Sequence, residues 1–204
     1  MRAKAACFLL TAVLAALAVA QATAAPAADT TWRESAWHTL RDPGPSTWYE
    51  GIWKNWSDTF RDGRTTLMLP IHTYHMPYAY PPEKRDQYTE WPLGFGLGRT
   101  RIDEYGNTRE VYAFGFQDSN GKAQYNVGYL WLKNWRPVEA DRDFRLGAGY
   151  TVFLFARSDQ NYVPIPGVLP VLSAGYKGFT LQTTFVPGGN GNGNVIFTWA
   201  QCAF

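Results

Sequence analysis

Residues 123–135 read AQYNVGYLWLKNW. Successive side chains of a β-strand point to opposite faces. Tyr125, Val127, Tyr129 and Trp131 therefore share one face, and Asn126, Gly128, Leu130 and Leu132 share the other. The next run, DFRLGAGYTVFLFARS at 143–158, repeats the pattern. Leu146, Ala148, Tyr150, Val152, Leu154 and Ala156 fall on one face; Arg145, Gly147, Gly149, Thr151, Phe153 and Phe155 fall on the other. The first face suits lipid. The second mixes small, polar and apolar residues, as the inside of a closed barrel does.

Six more runs of this kind surround these two: TTLMLPIHTYHMPYAY, TEWPLGFGLGRTRI, TREVYAFGFQD, YVPIPGVLPVLSAGY, GFTLQTTFVPG and NVIFTWAQCAF. The breaks between runs carry turn residues: YPPEKRDQ, DEYGN, DSNGK, RPVEADR, SDQN, KG and GGNGNG. The count is eight and even. The expectation is an all-β protein: an eight-stranded antiparallel up-and-down transmembrane β-barrel over residues 64–204. Closure matters in lipid, where an open edge would leave backbone groups unpaired. A soluble lipocalin-like barrel shares the strand count and stands as the alternative. Phe204 on a final strand resembles the signal read by barrel-assembly machinery, which favours the membrane barrel.

Before the strands, TWYEGIWKNWSDTFRDG has the helical period. Trp48, Ile52, Trp56 and Phe60 recur every fourth residue, with Trp53 beside them and charges between. An amphipathic helix over 46–63, periplasmic in a barrel of this topology and capped by Ser46, is expected. Its aromatic face either packs on a protein core or lies in a membrane interface.

The first residues, MRAKAACFLLTAVLAALAVAQATAAPA, place Arg2 and Lys4 before an apolar run and a small-x-small site at Ala22–Ala24. That is the anatomy of a secretory signal peptide over residues 1–24. Residues 25–45 read as a leader of no assigned role. Cleavage would take Lys+Arg from 19 to 17, matching the 17 Asp+Glu. A near-neutral chain has no basic field, so nucleic acid is not an expected partner. Only Cys202 would remain, so no internal disulfide is possible. His72 and His75 are three positions apart and face opposite ways on a strand. With no Cys/His cluster, no metal is expected.

If both termini lie in the periplasm, odd-numbered strands run outward. His75, late in the first run, and Asp118–Ser119, just after the third, then meet at one end of the barrel. An imidazole, a hydroxyl and a carboxylate are the residue types of acyl transfer. The alternative is that DSNG is a turn in its own right, since Asp and Ser bond nearby backbone.

The chain resembles the PagP family of lipid A palmitoyltransferases over about residues 46–204. The resemblance rests on LPIHTYHMPYAY, on WPLGFGLGR with YAFGFQDS, on GYLWLKNWRP, on FRLGAGYT with NYVPIPGVLP, and on FVPGGNGNGNVIFTW. It implies an outer-membrane acyltransferase, probed against a passive structural barrel or a phospholipase as alternatives. The enzyme would move an acyl chain from a glycerophospholipid to lipid A as a monomer, with no cofactor. It implies His75, Asp118 and Ser119 as catalytic: His75 the base, Asp118 orienting it or stabilising its charge, Ser119 holding the ester or oxyanion. Arg157 would meet lipid phosphates. Pro70, Pro92, Pro170 and Pro187 interrupt or end strand patterns, and the family's prolines at these places mark lateral gates for lipid. Where the family has an inward glycine under the acyl pocket, this chain has Leu130. A donor chain shorter than palmitate is expected, and Leu130→Gly is expected to lengthen it.

Overall fold

A computed structural model describes residues 48–137, 143–189 and 193–204. The signal peptide, the leader and the Ser46 cap lie outside the described residues. Helix α1 (Trp48–Asp62) leads into β1 (Arg64–His75). A short helix α2 (Pro82–Arg85) interrupts the passage to β2 (Gly94–Ile102). Then follow β3 (Thr108–Gln117), β4 (Ala123–Trp135) and β5 (Phe144–Arg157). After β5, β6 (Ile165–Tyr176), β7 (Phe179–Val186) and β8 (Val195–Ala203) complete the set. Each strand pairs antiparallel with the next, and β8 pairs with β1, so the barrel closes.

Strand parity divides the residues as the alternation requires. On β4, Val127 is 51% exposed while Leu130 and Leu132 are each 1% exposed. On β5, Val152 and Leu154 face out and Thr151 is buried. Aromatics and aliphatics face outward around the barrel, including Phe95, Leu97, Tyr150, Leu172 and Leu181. The inside is packed at mid-height by Met68, Phe114, Leu130, Leu132, Val171 and Trp199. An apolar outside around a mixed interior inverts a soluble domain and matches a barrel whose solvent is lipid.

Helix α1 stands at the end that carries the start of β1 and the end of β8. It buries its polar side: Asp58 and Thr59 are buried, while Ile52, Trp53 and Phe60 are well exposed. Trp53 stacks on Trp56, and Trp56 on Phe60, at centroid distances of 5.5 and 5.7 Å. The aromatic face thus points away from the barrel, the arrangement of a helix lying in a membrane interface. Lys54 reaches Asp58 at 2.5 Å and Arg61 reaches it at 2.9 Å. The Lys54 bond holds the Asp58 carboxyl below its usual range.

Arg99 on β2 fastens the helix end. Its guanidinium donates to the carbonyls of Phe60 and Arg61, both at 3.1 Å, and to Thr65 Oγ1 at 3.0 Å. These carbonyls carry the negative end of the helix dipole. Arg99→Ala is expected to weaken helix docking by on the order of 1–2 kcal/mol. Limited proteolysis should then cut within 48–62 and leave the barrel intact. Unchanged cleavage would show that α1 is held by something else.

Candidate active site

β1 reaches the mouth opposite α1 through a break in its own alternation. Thr66, Met68 and Pro70 are buried inside, all even-numbered. Strict alternation would carry His72 inward and His75 outward. Instead Pro70 pairs with Trp199 and His72 with Thr198, so Ile71 is an extra residue on β1. Proline offers no N–H to the ladder, and a bulge is where sheets tolerate it. The bulge resets the parity. Thr73 and His75 turn inward, while His72 lies outside beside Glu90, 3.6 Å away, and Trp91.

His75 is 2% exposed. Its Nε2 lies 2.9 Å from Ser119 Oγ, on the turn between β3 and β4. The ring stacks on Tyr88 at 4.7 Å and meets the edge of Tyr80 at 5.2 Å. Tyr80 donates its hydroxyl to the Gly193 carbonyl, and burial pushes its phenol above the usual value, so it stays a donor. His75 Nδ1 is buried without a protein partner. Neither tyrosine was expected from the sequence. Both lie in the long connection after β1, where no period flags them.

Asp118 adjoins Ser119 but serves a different contact from the one expected. Its Oδ1 accepts from the backbone N–H of Asn120 and Lys122, each at 2.9 Å. Its Oδ2 faces the Arg157 guanidinium at 3.5 Å. No hydrogen bond joins it to His75. The carboxylate is engaged in closing the turn. Arg157, at the end of β5, also reaches Asp159 at 3.2 Å. The turn itself is fixed from outside by Thr89 N–H donating to the Ser119 carbonyl at 2.9 Å. Asp118→Asn retains an Oδ acceptor and should keep most activity. Asp118→Ala removes it and should cost about 100-fold by displacing Ser119. Turnover of both variants measures the difference; equal losses would mean that the charge itself is required.

Beneath His75 and Ser119 lies a cavity of about 300 Å³. Its walls are mostly aromatic and aliphatic, with Phe114, Phe116, Phe153, Phe155 and Phe197 prominent, and a few polar groups at the mouth. That combination suits one long apolar group with a polar end. Leu130 faces inward as its parity predicts, yet it does not line this cavity. Its partner on β5, Thr151, does line it.

Two seams in the barrel wall are unpaired in the half nearest this mouth. β1 pairs with β2 only from Arg64 to Met68, and β6 pairs with β7 only from Val171 to Tyr176. Pro70 and Pro92 flank the first seam; Pro170 and Pro187 flank the second. Leu169 and Val186 beside the second seam, with Thr184 and Pro187, also line the cavity. Among the described residues no group of three His, Cys, Asp or Glu is placed to hold a metal ion.

Residues 55–201 match a family model described as "Antimicrobial peptide resistance and lipid A acylation protein PagP". A lipid A acyltransferase PagP of Laribacter hongkongensis is 45% identical over 157 residues, covering 77% of this chain and 74% of its own length. A lipid A palmitoyltransferase PagP of Escherichia coli is 42% identical over 158 residues, covering 73% and 84%. A lipid A acyltransferase PagP of Salmonella typhimurium is 46% identical over 138 residues, covering 68% and 72%.

Proposed function

The chain belongs to the PagP family, and from that premise we propose how this barrel transfers an acyl chain from a glycerophospholipid to lipid A. The observation that carries the reading is the His75–Ser119 hydrogen bond at the mouth of an apolar cavity. A passive barrel would have no use for that conjunction.

The donor's acyl tail lies in the cavity and its ester at the mouth. His75 takes the proton of the attacking lipid A hydroxyl as the carbon–oxygen bond forms. Ser119 donates its hydroxyl to the oxyanion that develops on the ester carbon. The phospholipid ester bond breaks, the departing glycerol oxygen takes the proton from the imidazole, and a lysophospholipid leaves. One ester is lost and one is made, so the exchange is redox-neutral and balances without a cofactor. Arg157 and Asp118 hold the Ser119 turn, and Arg157 is close enough to the mouth to meet a lipid phosphate. The unpaired seams beside Pro70, Pro92, Pro170 and Pro187 are the routes by which lipid enters sideways. Because Leu130 takes up space inside the barrel, the preferred donor is shorter than palmitate.

The family is one of outer-membrane barrels, and the apolar exterior fits that setting. We place α1 on the periplasmic side and the His75 mouth outward, after cleavage of a signal peptide. The sheet closes on itself through β8 and β1, which supports a monomer inserted by barrel-assembly machinery. Mass spectrometry of lipid A from cells with and without the protein tests the function. The expected result is a gain of one acyl chain. Release of free fatty acid with no change in lipid A would mean a phospholipase instead.

A further inference from the structure

We propose that the outer surface of the barrel beside the β1–β2 seam holds the sugar headgroup of the acceptor, with His72, Glu90 and Trp91 as its contacts. The site rests on the acyl-transfer reading above and names where the acceptor of that reaction docks.

An ionisable pair stands on a face that is otherwise apolar. His72 and Glu90 lie 3.6 Å apart, with side chains 30% and 42% exposed. Around them in the chain, Tyr74, Leu93, Phe95 and Leu97 are all exposed. Ionisable groups on the lipid side of a membrane protein are costly, and they mark sites for a polar ligand. His72 comes three residues before the end of β1, about 10 Å along the strand from the rim. At that depth the partner on offer is a lipid headgroup rather than an acyl chain.

The composition of the patch selects among headgroups. The Glu90 carboxylate repels a phosphate, but it accepts hydrogen bonds from hydroxyls, and the His72 imidazole bonds them as well. Trp91 is 56% exposed and its ring meets that of His72 at 5.0 Å. Tyr74 stacks on the same imidazole at 6.4 Å. Indole and phenol each offer an apolar plane with a polar tip. An aromatic plane beside a carboxylate and an imidazole fits the C–H face and the hydroxyl edge of a sugar ring. Of the two substrates, lipid A is the one built on sugars, whereas the donor presents a phosphate.

The segment that carries this patch is also tied to the catalytic pair. β1 and β2 pair only as far as Met68. Above that point, the Thr73 N–H donates to the Glu90 carbonyl at 2.8 Å and the Gln117 N–H donates to the Leu93 carbonyl at 2.8 Å. Thr89 donates to the Ser119 carbonyl, as described above. Residues 89–93 thus form a strap beside the seam, fastened to β1, to β3 and to the turn that bears Ser119. Glu90 meets His72 on its outside. His75, three residues along β1, lies inside. A sugar held against Trp91 is therefore about 10 Å along β1 from the imidazole, close enough for a hydroxyl of the same molecule to reach the ester.

The test is initial-rate transfer by the whole refolded protein in vesicles, with lipid A varied at saturating phosphatidylcholine and then the reverse. Trp91→Leu and Glu90→Ala are each expected to raise KM for lipid A about 10-fold. The same variants keep kcat and KM for phosphatidylcholine within about 2-fold of wild type, the mark of lost acceptor binding alone. Glu90→Gln retains an acceptor for a hydroxyl and should stay within about 3-fold in every constant. Glu90 holds Thr73 through its main chain, so none of these changes removes the strap, and Trp91→Leu decides the matter if Glu90→Ala does not assemble. Lipid A stripped of its phosphates should show the same rise in KM. A rise that vanishes with that acceptor would mean a phosphate contact and overturn the sugar site. So would a KM for phosphatidylcholine that rises in step with that for lipid A, or an unmoved KM in both Trp91→Leu and Glu90→Ala. Wild-type protein that transfers nothing to lipid A would instead bring down the acyl-transfer reading, and this site with it.

Discussion

His75→Asn should lower acyl transfer about 1,000-fold or more while the barrel still assembles. The side chain lies at the last paired rung of β1, opposite Val195, so the ladder below it does not depend on an imidazole. An asparagine can imitate one hydrogen bond to Ser119, but it cannot take and return a proton near neutral pH. Ser119→Ala should cost less, about 100-fold, if the hydroxyl only steadies the oxyanion. If Ser119 instead carried the acyl group covalently, its loss would equal that of His75, since residues acting as one unit give similar single losses. Lipid A mass spectrometry gives the transfer rates, and circular dichroism confirms that the barrel persists. Activity of His75→Asn within about 10-fold of wild type would remove the imidazole from the chemistry.

The outline of this molecule was legible because each strand of a lipid barrel carries its own sorting rule. Tyr125 to Trp131 and Leu146 to Ala156 announce an apolar outside, and their neighbours announce an inside. Position along the chain then placed His75 and Ser119 at the same mouth without reference to chemistry. Which way His75 points was another matter. Counting from Met68 gives the wrong face, and only the extra residue at Ile71 corrects it. Pro70 hints at irregularity, but a proline does not say whether a strand bulges or ends. The bonds that Asp118 makes were hidden for a related reason. A carboxylate beside a hydroxyl suggests chemistry, yet its nearest claimants are the N–H groups of its own turn. Helix α1 showed its amphipathic period in the sequence but not its orientation, since an aromatic stripe looks alike against a core or a lipid surface.

A covalent staple across the seam between β6 and β7 should stop transfer, and reduction should restore it. The ladder between these strands ends at Val171 and Thr184. One rung further, Pro170 and Phe185 both face outward, and cysteines at these two positions would continue the register. The Pro170 carbonyl is already held by Thr184 Oγ1 at 2.6 Å, so the backbones are close at the edge of the opening. A disulfide needs Cα atoms within about 7 Å, which adjacent rungs of an antiparallel pair satisfy. The native Cys202 is buried on β8 and should be changed to alanine so that a single pair of thiols remains. The oxidised protein keeps His75, Ser119 and the cavity unchanged, and it loses only the breathing of the wall beside Leu169 and Val186. Transfer from phospholipid in a bilayer is expected to fall to background when oxidised and to return with a thiol reductant. Donors in detergent, able to enter through the open mouth, should be affected less. The matching staple across β1 and β2 separates the two seams, since donor and acceptor need different paths to one ester. Full activity with the β6–β7 bond formed would mean that the acyl chain enters elsewhere, and that Pro170 and Pro187 merely end strands.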